Sequence, residues 1–421
     1  MPIKKFEIDS PLKRAALAAV VIICVVAAAI VLKWTLGNAL TSRAADAEVA
    51  DLAVSLAPGD PQTHYTSAVV RERSLEAADS AKSLLDFETA AAISPNNYLI
   101  WLAVGRAREF AGDRDGAEKA LMRARELAPA YSRVRWALGN VMLRQGKTEE
   151  GFAEMRAAAS VDVSFADPLV FAAHQFYADD AAAQRAAVGD SSAVLAALSK
   201  SLAGEKKFDA ALETWRQIPN EESLKAADTG RAILGQMIAE KKFMAAMQIA
   251  NLLQPTPKFS VAKVDDGGFE NGIAASGASV FEWTLGSGTQ PQIALTDGQK
   301  HAGVYSLLVI FRATPGKEFR SLSQTVAVER GTHLRLSAYY RSDIKTAAKL
   351  YWQALSACDA KVLAATPPVV NAAEWTELNA DVPVPSDCDG VTLRLFREDC
   401  PLASCVVAGN LWIDDVALTR P

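Results

Sequence analysis

Cysteine is the residue type whose positions indicate a chemistry most clearly in this sequence, because four of the five cysteines lie near its end. These four are Cys358, Cys388, Cys400 and Cys405. In an oxidising compartment, four neighbouring cysteines predict two disulfides, with three connectivities open. The short segment between Cys400 and Cys405 favours one tight loop, which leaves Cys358 to pair with Cys388. The alternatives are four reduced, buried thiols or, less favoured, a metal tetrad, whose paired-knuckle spacing the sequence lacks.

Catalytic motifs are not evident in the chain. It has no Gly-x-Ser-x-Gly, no glycine-rich phosphate loop and no His-Glu-x-x-His, so we predict no catalytic residue. The histidines occur singly, and each is expected on the surface or in a core rather than as a base. They are His64, His174, His301 and His333. A glycosidase whose two carboxylates meet only in space stays an open alternative.

The length and the net charge of the chain limit which classes of function remain possible. The 421 residues suffice for several domains, and a hydrophobic fraction of 50% supports packed cores. Lysine and arginine number 44 against 49 aspartate and glutamate residues, which gives a formal net charge of −5. This balance argues against a broad nucleic-acid surface, so we predict no nucleic-acid partner.

The first element that positions the rest of the chain is an apolar run over residues 15–32, flanked by Lys13-Arg14 and Lys33-Trp34. With its flanks it approaches the roughly 30 Å thickness of the hydrocarbon layer, so we predict a transmembrane helix over residues 15–34. Basic residues before the run predict a cytoplasmic tail at 1–14 and an extracytoplasmic bulk. A cleaved signal peptide is the alternative, although its apolar region is usually only about 7 to 15 residues long.

An alanine-rich, helix-forming region over residues 40–254 carries a repeat of 34 residues. The period joins Pro95 to Pro129 and Gly105 to Gly139, and the segment 205–211 recurs at 240–246. The region resembles the tetratricopeptide-repeat family, most closely at Trp101, Gly105, Ala117, Leu121, Ala124 and Pro129. The resemblance implies five to six stacked helical hairpins with a groove for a protein partner, or else a spacer with an empty groove. In the unit before, Arg71 stands where a small residue is expected.

The helical pattern ends at a predicted linker over residues 255–263, which opens with Pro-Thr-Pro. Over residues 264–421 the apolar residues alternate instead, as in 334–341, 349–353 and 391–397. Alternation in many short segments predicts an antiparallel all-β sandwich. The predicted fold class is therefore multidomain, with one transmembrane helix, an all-α solenoid and a β-sandwich.

This last region resembles the jelly-roll family of carbohydrate-binding modules, the galactose-binding-like group. The resemblance rests on residues 268–272, Trp283, 301–307, 323–326 before Gly331, and 411–416. It implies a structural calcium that joins Glu270 to Asp414 or Asp415, because calcium prefers hard oxygen ligands. The alternative is that Glu270 is a solvated turn residue and that the two aspartates merely end a strand.

The resemblance also implies a sugar site built on an exposed ring with polar neighbours. The apolar face of a pyranose stacks on such a ring while its hydroxyls need hydrogen bonds. The candidates are Tyr339, Arg341, Tyr351, Trp352, Gln353 and Arg394. Alternation puts Tyr351 and Trp352 on opposite sides of a strand, so at most one can join a platform and the other is expected in the core.

Together these features predict a single-pass protein of a bacterial inner membrane, with its N-terminus cytoplasmic and its bulk periplasmic. We expect a non-catalytic scaffold that organises the synthesis, ligation or export of a surface polysaccharide. The repeats would hold a protein partner and the sandwich would hold the polysaccharide. The alternatives are an assembly factor for secretion or cell division that binds only proteins and, less favoured, a polysaccharide hydrolase.

Overall fold

A computed structural model describes residues 10–74, 76–178, 180–273, 277–313, 319–398 and 406–421. The chain divides into two compact units, residues 1–189 and 190–421. The first unit is helical, and the second contains both helices and a β-sandwich. The predicted fold class is confirmed: one helix is long and apolar enough to cross a membrane, a repeat-type helical region follows, and antiparallel sheets complete the chain.

The first unit contains ten α-helices within the residues that the structure describes. They are α1 Pro11–Thr41, α2 Ala47–Leu56, α3 Pro61–Arg71, α4 Ala77–Ile93, α5 Tyr98–Phe110, α6 Arg114–Leu127, α7 Ser132–Arg144, α8 Thr148–Val161, α9 Ala166–Tyr177 and α10 Ala181–Val188. Four consecutive hairpins result, because α3 packs on α4, α5 on α6, α7 on α8, and α9 on α10.

Helix α1 contains the predicted transmembrane segment. It begins after Ser10, whose hydroxyl accepts a hydrogen bond from the Lys13 amide, and Pro11 occupies the first turn, where no amide donor is needed. The helix has 31 residues, which corresponds to about 46 Å at 1.5 Å per residue. Its most apolar 18-residue window has a mean hydropathy of 3.2 and no buried residue.

The end of α1 extends beyond the predicted limit at residue 34 and reaches Thr41. Within this extension, Gly37 lets α1 approach the end of α2 closely: a Cβ at Gly37 would lie 2.8 Å from the Cβ of Ala57. One residue later, the Asn38 side chain donates a 2.7 Å hydrogen bond to the carboxylate of Asp60. The last turns of α1 therefore pack against the helices that follow it.

Glycines at one repeat position set the distance between the two helices of a hairpin. A Cβ on Gly105 of α5 would lie 2.5 Å from Cγ of the buried Leu121 on α6. A Cβ on Gly139 of α7 would lie 2.7 Å from the carbonyl oxygen of Gly151 on α8. The spacing seen in the sequence thus reflects two close helix approaches of the same kind.

Arg71 occupies this same repeat position in α3, and the structure buries it in a polar cluster. Only 3% of Arg71 is exposed, and its Nη2 donates to both carboxylate oxygens of Asp51 at 2.7 Å. Its Nη1 donates to the Ser67 hydroxyl, which in turn donates to Asp86 at 2.7 Å. The other oxygen of Asp86 lies 3.0 Å from Nδ1 of His64. We call these five residues the Arg71 cluster.

The second unit begins with five helices within the described residues. They are α11 Ser192–Gly204, α12 Phe208–Arg216, α13 Asn220–Lys225, α14 Ala227–Ala239 and α15 Phe243–Leu252. The repeated Glu-Lys-Lys-Phe segments form the turns of two hairpins, with Lys206 at φ 61° and Lys241 at φ 59°. Phe208 and Phe243 each begin the second helix and are buried. Six hairpins are therefore present in the described part of the chain, within the predicted range.

The sandwich of the second unit contains eleven strands within the described residues. They are β1 Thr284–Leu285, β2 Gln292–Thr296, β3 Ser306–Arg312, β4 Leu322–Ala327, β5 His333–Ser342, β6 Lys345–Thr346, β7 Leu350–Ser356, β8 Val362–Ala365, β9 Ala372–Pro383, β10 Gly390–Arg397 and β11 Val407–Thr419. Sheet A has the order β1-β4-β10-β7-β8. Sheet B has the order β2-β3-β11-β5-β9, and β6 also pairs with β11.

The core of the sandwich lies between the two sheets, and the longer strands contribute alternate residues to it. On β10, Val391, Leu393 and Leu395 are at most 1% exposed and belong to this core. The residues between them face away from the core because side chains alternate along a strand. Sheet A therefore has an outer face, and the placement of the candidate residues depends on which face each one takes.

The predicted linker at 255–263 is packed in the second unit. Phe259 is 7% exposed and belongs to the same apolar cluster as Phe243 of α15. Asn251, near the end of α15, donates to the Phe259 carbonyl and accepts from its amide, both at 2.8 Å. Helices α11–α15 and the sandwich consequently form one compact unit, and this segment does not separate them.

The start of α15 is held by the sandwich. Asp389, just before β10, accepts a 2.9 Å hydrogen bond from the amide of Phe243, the first residue of the helix. The neighbouring Gly390 leaves room for the phenylalanine ring, since a Cβ there would lie 2.5 Å from it. Asp389 thus acts as a helix cap supplied from another element of the fold.

Candidate functional site

The outer face of sheet A brings together three of the predicted sugar-binding residues and one further ring. Tyr351 on β7 pairs with Phe396 on β10, and Gln353 pairs with Arg394. The rings of Tyr351 and Phe396 have their centroids 5.7 Å apart. Nε of Arg394 donates to Oε1 of Gln353 at 2.8 Å, and its Cζ lies 4.5 Å from the centroid of the Phe396 ring. We call these four residues the sheet A platform.

The chemistry of the sheet A platform suits a ligand that is apolar on one side and polar at its edges. The two rings offer apolar faces, and the guanidinium offers hydrogen-bond donors. At the next outward-facing position of β10, the hydroxyl of Thr392 is 2.9 Å from that of Thr325 on β4. Aromatic, guanidinium, amide and hydroxyl groups therefore lie on one half-buried surface.

Trp352 does not belong to this surface, and its prediction as a sugar contact is corrected. Only 1% of the residue is exposed, and its ring packs against Trp283 in the core at a centroid distance of 5.7 Å. Its neighbour Tyr351 faces the opposite side of the strand. Because side chains alternate along a strand, only Tyr351 of these two residues lies on the outer face of sheet A.

Tyr339 and Arg341 lie on the other sheet, on the outer side of β5, and so the structure separates them from the sheet A platform. The imidazole of His301 stacks on the Tyr339 ring with a centroid distance of 3.9 Å and an interplanar angle of 11°. Trp375 meets the same imidazole at 5.7 Å. One face of Tyr339 is thus already covered by the chain itself.

Phe396 is the platform residue that the sequence reasoning missed. The signal was present, because Phe396 follows Arg394 by two residues in an alternating strand and so shares its face. The pairing of β10 with β7 is what sets it beside Tyr351.

The raised pKa of Tyr351 keeps its phenol as a hydrogen-bond donor at this surface. Burial raises the pKa of the Tyr351 phenol, and the negative charge of Glu398 adds to this effect. Lys349 and Arg394 oppose the shift without reversing it. The hydroxyl therefore stays protonated at neutral pH and can donate to a ligand oxygen.

The acidic residues predicted for calcium hold a loop on the side of sheet B. Asp414 is fully buried, and its Oδ2 accepts from the backbone amides of His301 at 2.9 Å and Ala302 at 3.2 Å. Glu270 accepts from the amide of Val304 at 2.9 Å. Burial raises the pKa of the Asp414 carboxyl, and the hydrogen bonds from backbone amides offset this only in part.

The same three acidic residues surround Gly268. A Cβ at Gly268 would lie 3.7 Å from Oδ1 of Asp414, 3.8 Å from Oδ1 of Asp415 and 3.8 Å from Cγ of Glu270. These carboxylates are a donor type that suits calcium, but several of their oxygens already accept N–H bonds. Within the described ranges, no group of three or more histidine, cysteine, aspartate or glutamate side chains is arranged to hold a metal ion. Calcium binding here stays a prediction.

The predicted disulfide between Cys358 and Cys388 is confirmed, with a Cα–Cα distance of 5.9 Å. It joins the turn after β7 to the loop before β10, next to the contact between Asp389 and α15. Cys400 and Cys405 lie outside the described residues, so their pairing stays a prediction.

In the first unit, an aromatic surface lies between α7 and α9. A cavity of about 410 Å³ is lined there by Trp136, Leu143, Phe171 and Phe176, together with polar residues. Phe171 is 65% exposed and Phe176 is 47% exposed. Exposed apolar clusters of this kind mark contact surfaces more often than isolated apolar residues do. We call Trp136, Phe171 and Phe176 the repeat aromatic surface.

Comparisons with known proteins give similar folds but no family. No family model matches the chain, and no curated protein matches it. A solved CBM4 module is 16% identical with a TM-score of 0.29, covering 38% of this chain and 99% of that one. A CBM61 module in complex with β-1,4-galactotriose is 16% identical with a TM-score of 0.28, covering 38% and 100%. MamA from Desulfovibrio magneticus RS-1 is 18% identical with a TM-score of 0.31, covering 37% and 88%. At these TM-scores the similarities carry no argument about function.

Proposed function

We propose that the protein is a membrane-anchored, non-catalytic scaffold of a bacterial envelope that binds glycan through its sandwich and a protein through its repeats. The observation that carries the glycan assignment is the sheet A platform, where Tyr351, Phe396, Gln353 and Arg394 meet on an outward-facing surface. Such a surface matches the apolar face and polar rim of a pyranose.

The proposed address rests on two independent features. Helix α1 has the length and apolarity of a membrane span, and the basic residues before it favour a cytoplasmic N-terminus. The disulfide between Cys358 and Cys388 supports an oxidising compartment for the second unit. Protease added to intact spheroplasts should therefore digest both units, and protection of both would contradict the periplasmic placement.

The proposed role is to organise a membrane apparatus that makes, ligates or exports a surface polysaccharide. The glycan part is tested by measuring binding of the detergent-solubilised full chain to an array of polysaccharide fragments. We expect Tyr351→Ala to weaken binding about tenfold or more, because a stacking ring is removed. Tyr339→Ala, on the outer side of sheet B, is the matched control and should bind like the wild type. Equal binding by the Tyr351 variant would reject the platform.

The protein part rests on the repeat aromatic surface, which also favours the second candidate function, a protein-only assembly factor. Site-specific photo-crosslinking from position 175, next to Phe176, should trap one envelope protein in cells. Phe171→Ala should reduce that crosslink, whereas Val163→Ala, which alters a residue 68% exposed, should not. A retained crosslink together with absent glycan binding would favour the assembly factor over the scaffold for polysaccharide.

Calcium is proposed separately, at Glu270, Asp414 and Asp415, on the chemistry of the donors alone. If it binds, calcium should raise the thermal unfolding midpoint of the full chain above that in chelator. Glu270→Gln should abolish the difference. An identical midpoint with calcium and with chelator would reject the site.

A further inference from the structure

Arg394 stands out on the outer face of sheet A because its charge has no counterion there. Within the residues that the structure describes, no carboxylate lies within ion-pair distance of Arg394. The acidic residue that adjoins this face, Glu398, pairs with Lys349 at 3.3 Å. The platform consequently presents an uncompensated positive charge to solvent.

The guanidinium of Arg394 is also fixed in position. Gln353, which is 6% exposed, accepts from Nε at 2.8 Å, and the ring of Phe396 lies beneath the guanidinium at 4.5 Å. These contacts use Nε and one face of the guanidinium. The terminal nitrogens Nη1 and Nη2 make no hydrogen bond within the described residues, so the pair of donors that fits a carboxylate is left open.

We propose that the sheet A platform selects a glycan that carries carboxylates, with a uronic acid residue pairing through its carboxylate with Nη1 and Nη2 of Arg394. This inference rests on the proposed glycan-binding function and adds the substrate class. Tyr351 stacks against the pyranose ring while Nη1 and Nη2 of Arg394 donate hydrogen bonds to the carboxylate. Because the side chain is already held, little conformational entropy is lost on binding, and the bidentate pair adds both affinity and orientation.

Arg341 provides an internal control, because it too is hydrogen-bonded to a glutamine side chain. It lies on the outer side of sheet B and donates from Nη1 to the side-chain oxygen of Gln299, whereas Arg394 donates to Gln353 from Nε. The two arginine–glutamine pairs differ in their surroundings, because no ring like Phe396 is stacked on Arg341 among the described residues. Changes made at both pairs therefore separate a specific site from a general effect of positive charge.

The probes are oligomers of galacturonate, glucuronate and mannuronate, each beside the same oligomer after chemical reduction of its carboxyl groups. Binding to the full chain is measured by calorimetry in detergent at fixed ionic strength. We expect at least one acidic oligomer to bind about tenfold or more tightly than its reduced partner. Arg394→Lys, which keeps the charge but loses the bidentate fork, should remove most of this preference.

Gln353→Glu gives the sharpest test, because it supplies Arg394 with a carboxylate from the protein itself. This variant should lose the preference for the acidic oligomer, so that the ratio of the affinities for the acidic and the reduced oligomer falls to about one. Gln299→Glu, which makes the same change beside Arg341, should leave the preference intact. Thermal unfolding of each variant shows whether it is folded. If Gln353→Glu does not fold, Arg394→Lys provides the test instead.

The outcomes distinguish this inference from the function on which it rests. If acidic and reduced oligomers bind equally and Tyr351→Ala weakens both, the platform binds glycan but the acidic class is rejected. If no oligomer binds, both proposals fail. Binding of an acidic peptide through Arg394, with no glycan bound, would also overturn the inference in favour of a protein ligand.

Discussion

The helical first unit and the sandwich bury their charges in different ways. In the Arg71 cluster, the buried guanidinium is paired with carboxylates of other side chains: it donates to Asp51 and lies 3.9 Å from Asp86. In the sandwich, the fully buried Asp414 is held by backbone amides alone, those of His301 and Ala302 and that of its own neighbour. Burial alone would raise the pKa of Asp51, but its bonds to Lys82 and Arg71 lower it, whereas burial raises that of Asp414.

The difference follows from where unused amides are available. Inside a helix every amide beyond the first turn already donates within the helix, so a buried carboxylate there must find its donors on side chains. The loops of a sandwich leave amides unpaired, and these can surround a carboxylate without a counterion. Stability should accordingly depend on ion pairs in the repeats and on loop geometry in the sandwich.

The largest effect should come from breaking the Arg71 cluster. Asp86→Ala leaves the buried Ser67 hydroxyl and His64 imidazole without their shared acceptor and removes one of the carboxylates near Arg71. At roughly 1 to 3 kcal/mol for each buried polar group left without its partner, the total cost should be about 3 to 5 kcal/mol. Hydrogen exchange of α3 and α4 in the full chain measures this. Glu88→Ala is the control two residues along α4, because its pair with Arg108 is partly exposed and should contribute at most about 1 kcal/mol. Equal losses in both variants would contradict the comparison.

The disulfide should give the next largest effect, and only in the second unit. Replacing Cys358 and Cys388 by serine opens a loop with a sequence separation of 30, for which chain entropy predicts a loss of about 3.5 kcal/mol. Exchange protection should fall in β7, β10 and α15 while α3–α8 stay unchanged. An unchanged midpoint for the second unit would show that the bond closes a loop already fixed by other contacts.

Asp389 tests whether a carboxylate of the sandwich stabilises a helix through an amide. Asp389→Ala leaves the buried Phe243 amide without its acceptor and should cost about 1 kcal/mol, in the range of helix-cap losses. Asp389→Asn keeps an acceptor oxygen and should recover most of the loss. The measurement is urea unfolding of the full chain, followed by exchange at α15, and equal losses in the two variants would exclude the cap.

The smallest effect should be on the pH dependence of stability, which acidification should change in opposite directions in the two units. The lowered pKa of Asp51 gives the first unit stability that is present above its ordinary value of 3.8 and is lost as pH falls through the folded pKa. The raised pKa of Asp414 gives the sandwich a contribution that is full below 3.8 and is lost as pH rises through the folded pKa.

Unfolding midpoints of the two units between pH 3 and 7 measure this separation. Asp51→Asn should reduce the fall in the midpoint of the first unit as the pH is lowered. Asp414→Asn should reduce the fall in the midpoint of the second unit as the pH is raised. Parallel curves for the two units, unaffected by either change, would be inconsistent with the two modes of burial.

Much of the fold could be predicted because its patterns are local. The interval between Gly105 and Gly139 follows from helix contact within a hairpin, and the alternation in β10 follows from a core on one side. The partner of Arg71 could not be predicted in the same way, since Asp51 lies on α2, outside the hairpin that contains Arg71.

The candidate site was predictable only in part for a related reason. Alternation shows that Arg394 faces away from the core, but not which strand lies beside it. The strand order of sheet A unites β7 with β10 and places Tyr339 on the other sheet, and that order depends on contacts far apart in sequence. Tyr351, Gln353 and Arg394 therefore lie on neighbouring strands of sheet A, whereas Arg341 lies on sheet B.

The uninterrupted helix from the apolar window of α1 to its contact at Gly37 has a mechanical consequence. A span joined through a loop could tilt in the bilayer without disturbing the domain it carries, but in α1 the same helix continues from the apolar window to the turn at Gly37 that packs on Ala57. Helices adapt to thinner or thicker lipid by tilting. If α1 is the membrane anchor proposed above, a change in bilayer thickness would lean α2 and α3 by a similar angle, and the anchor would act as a lever as well as an attachment.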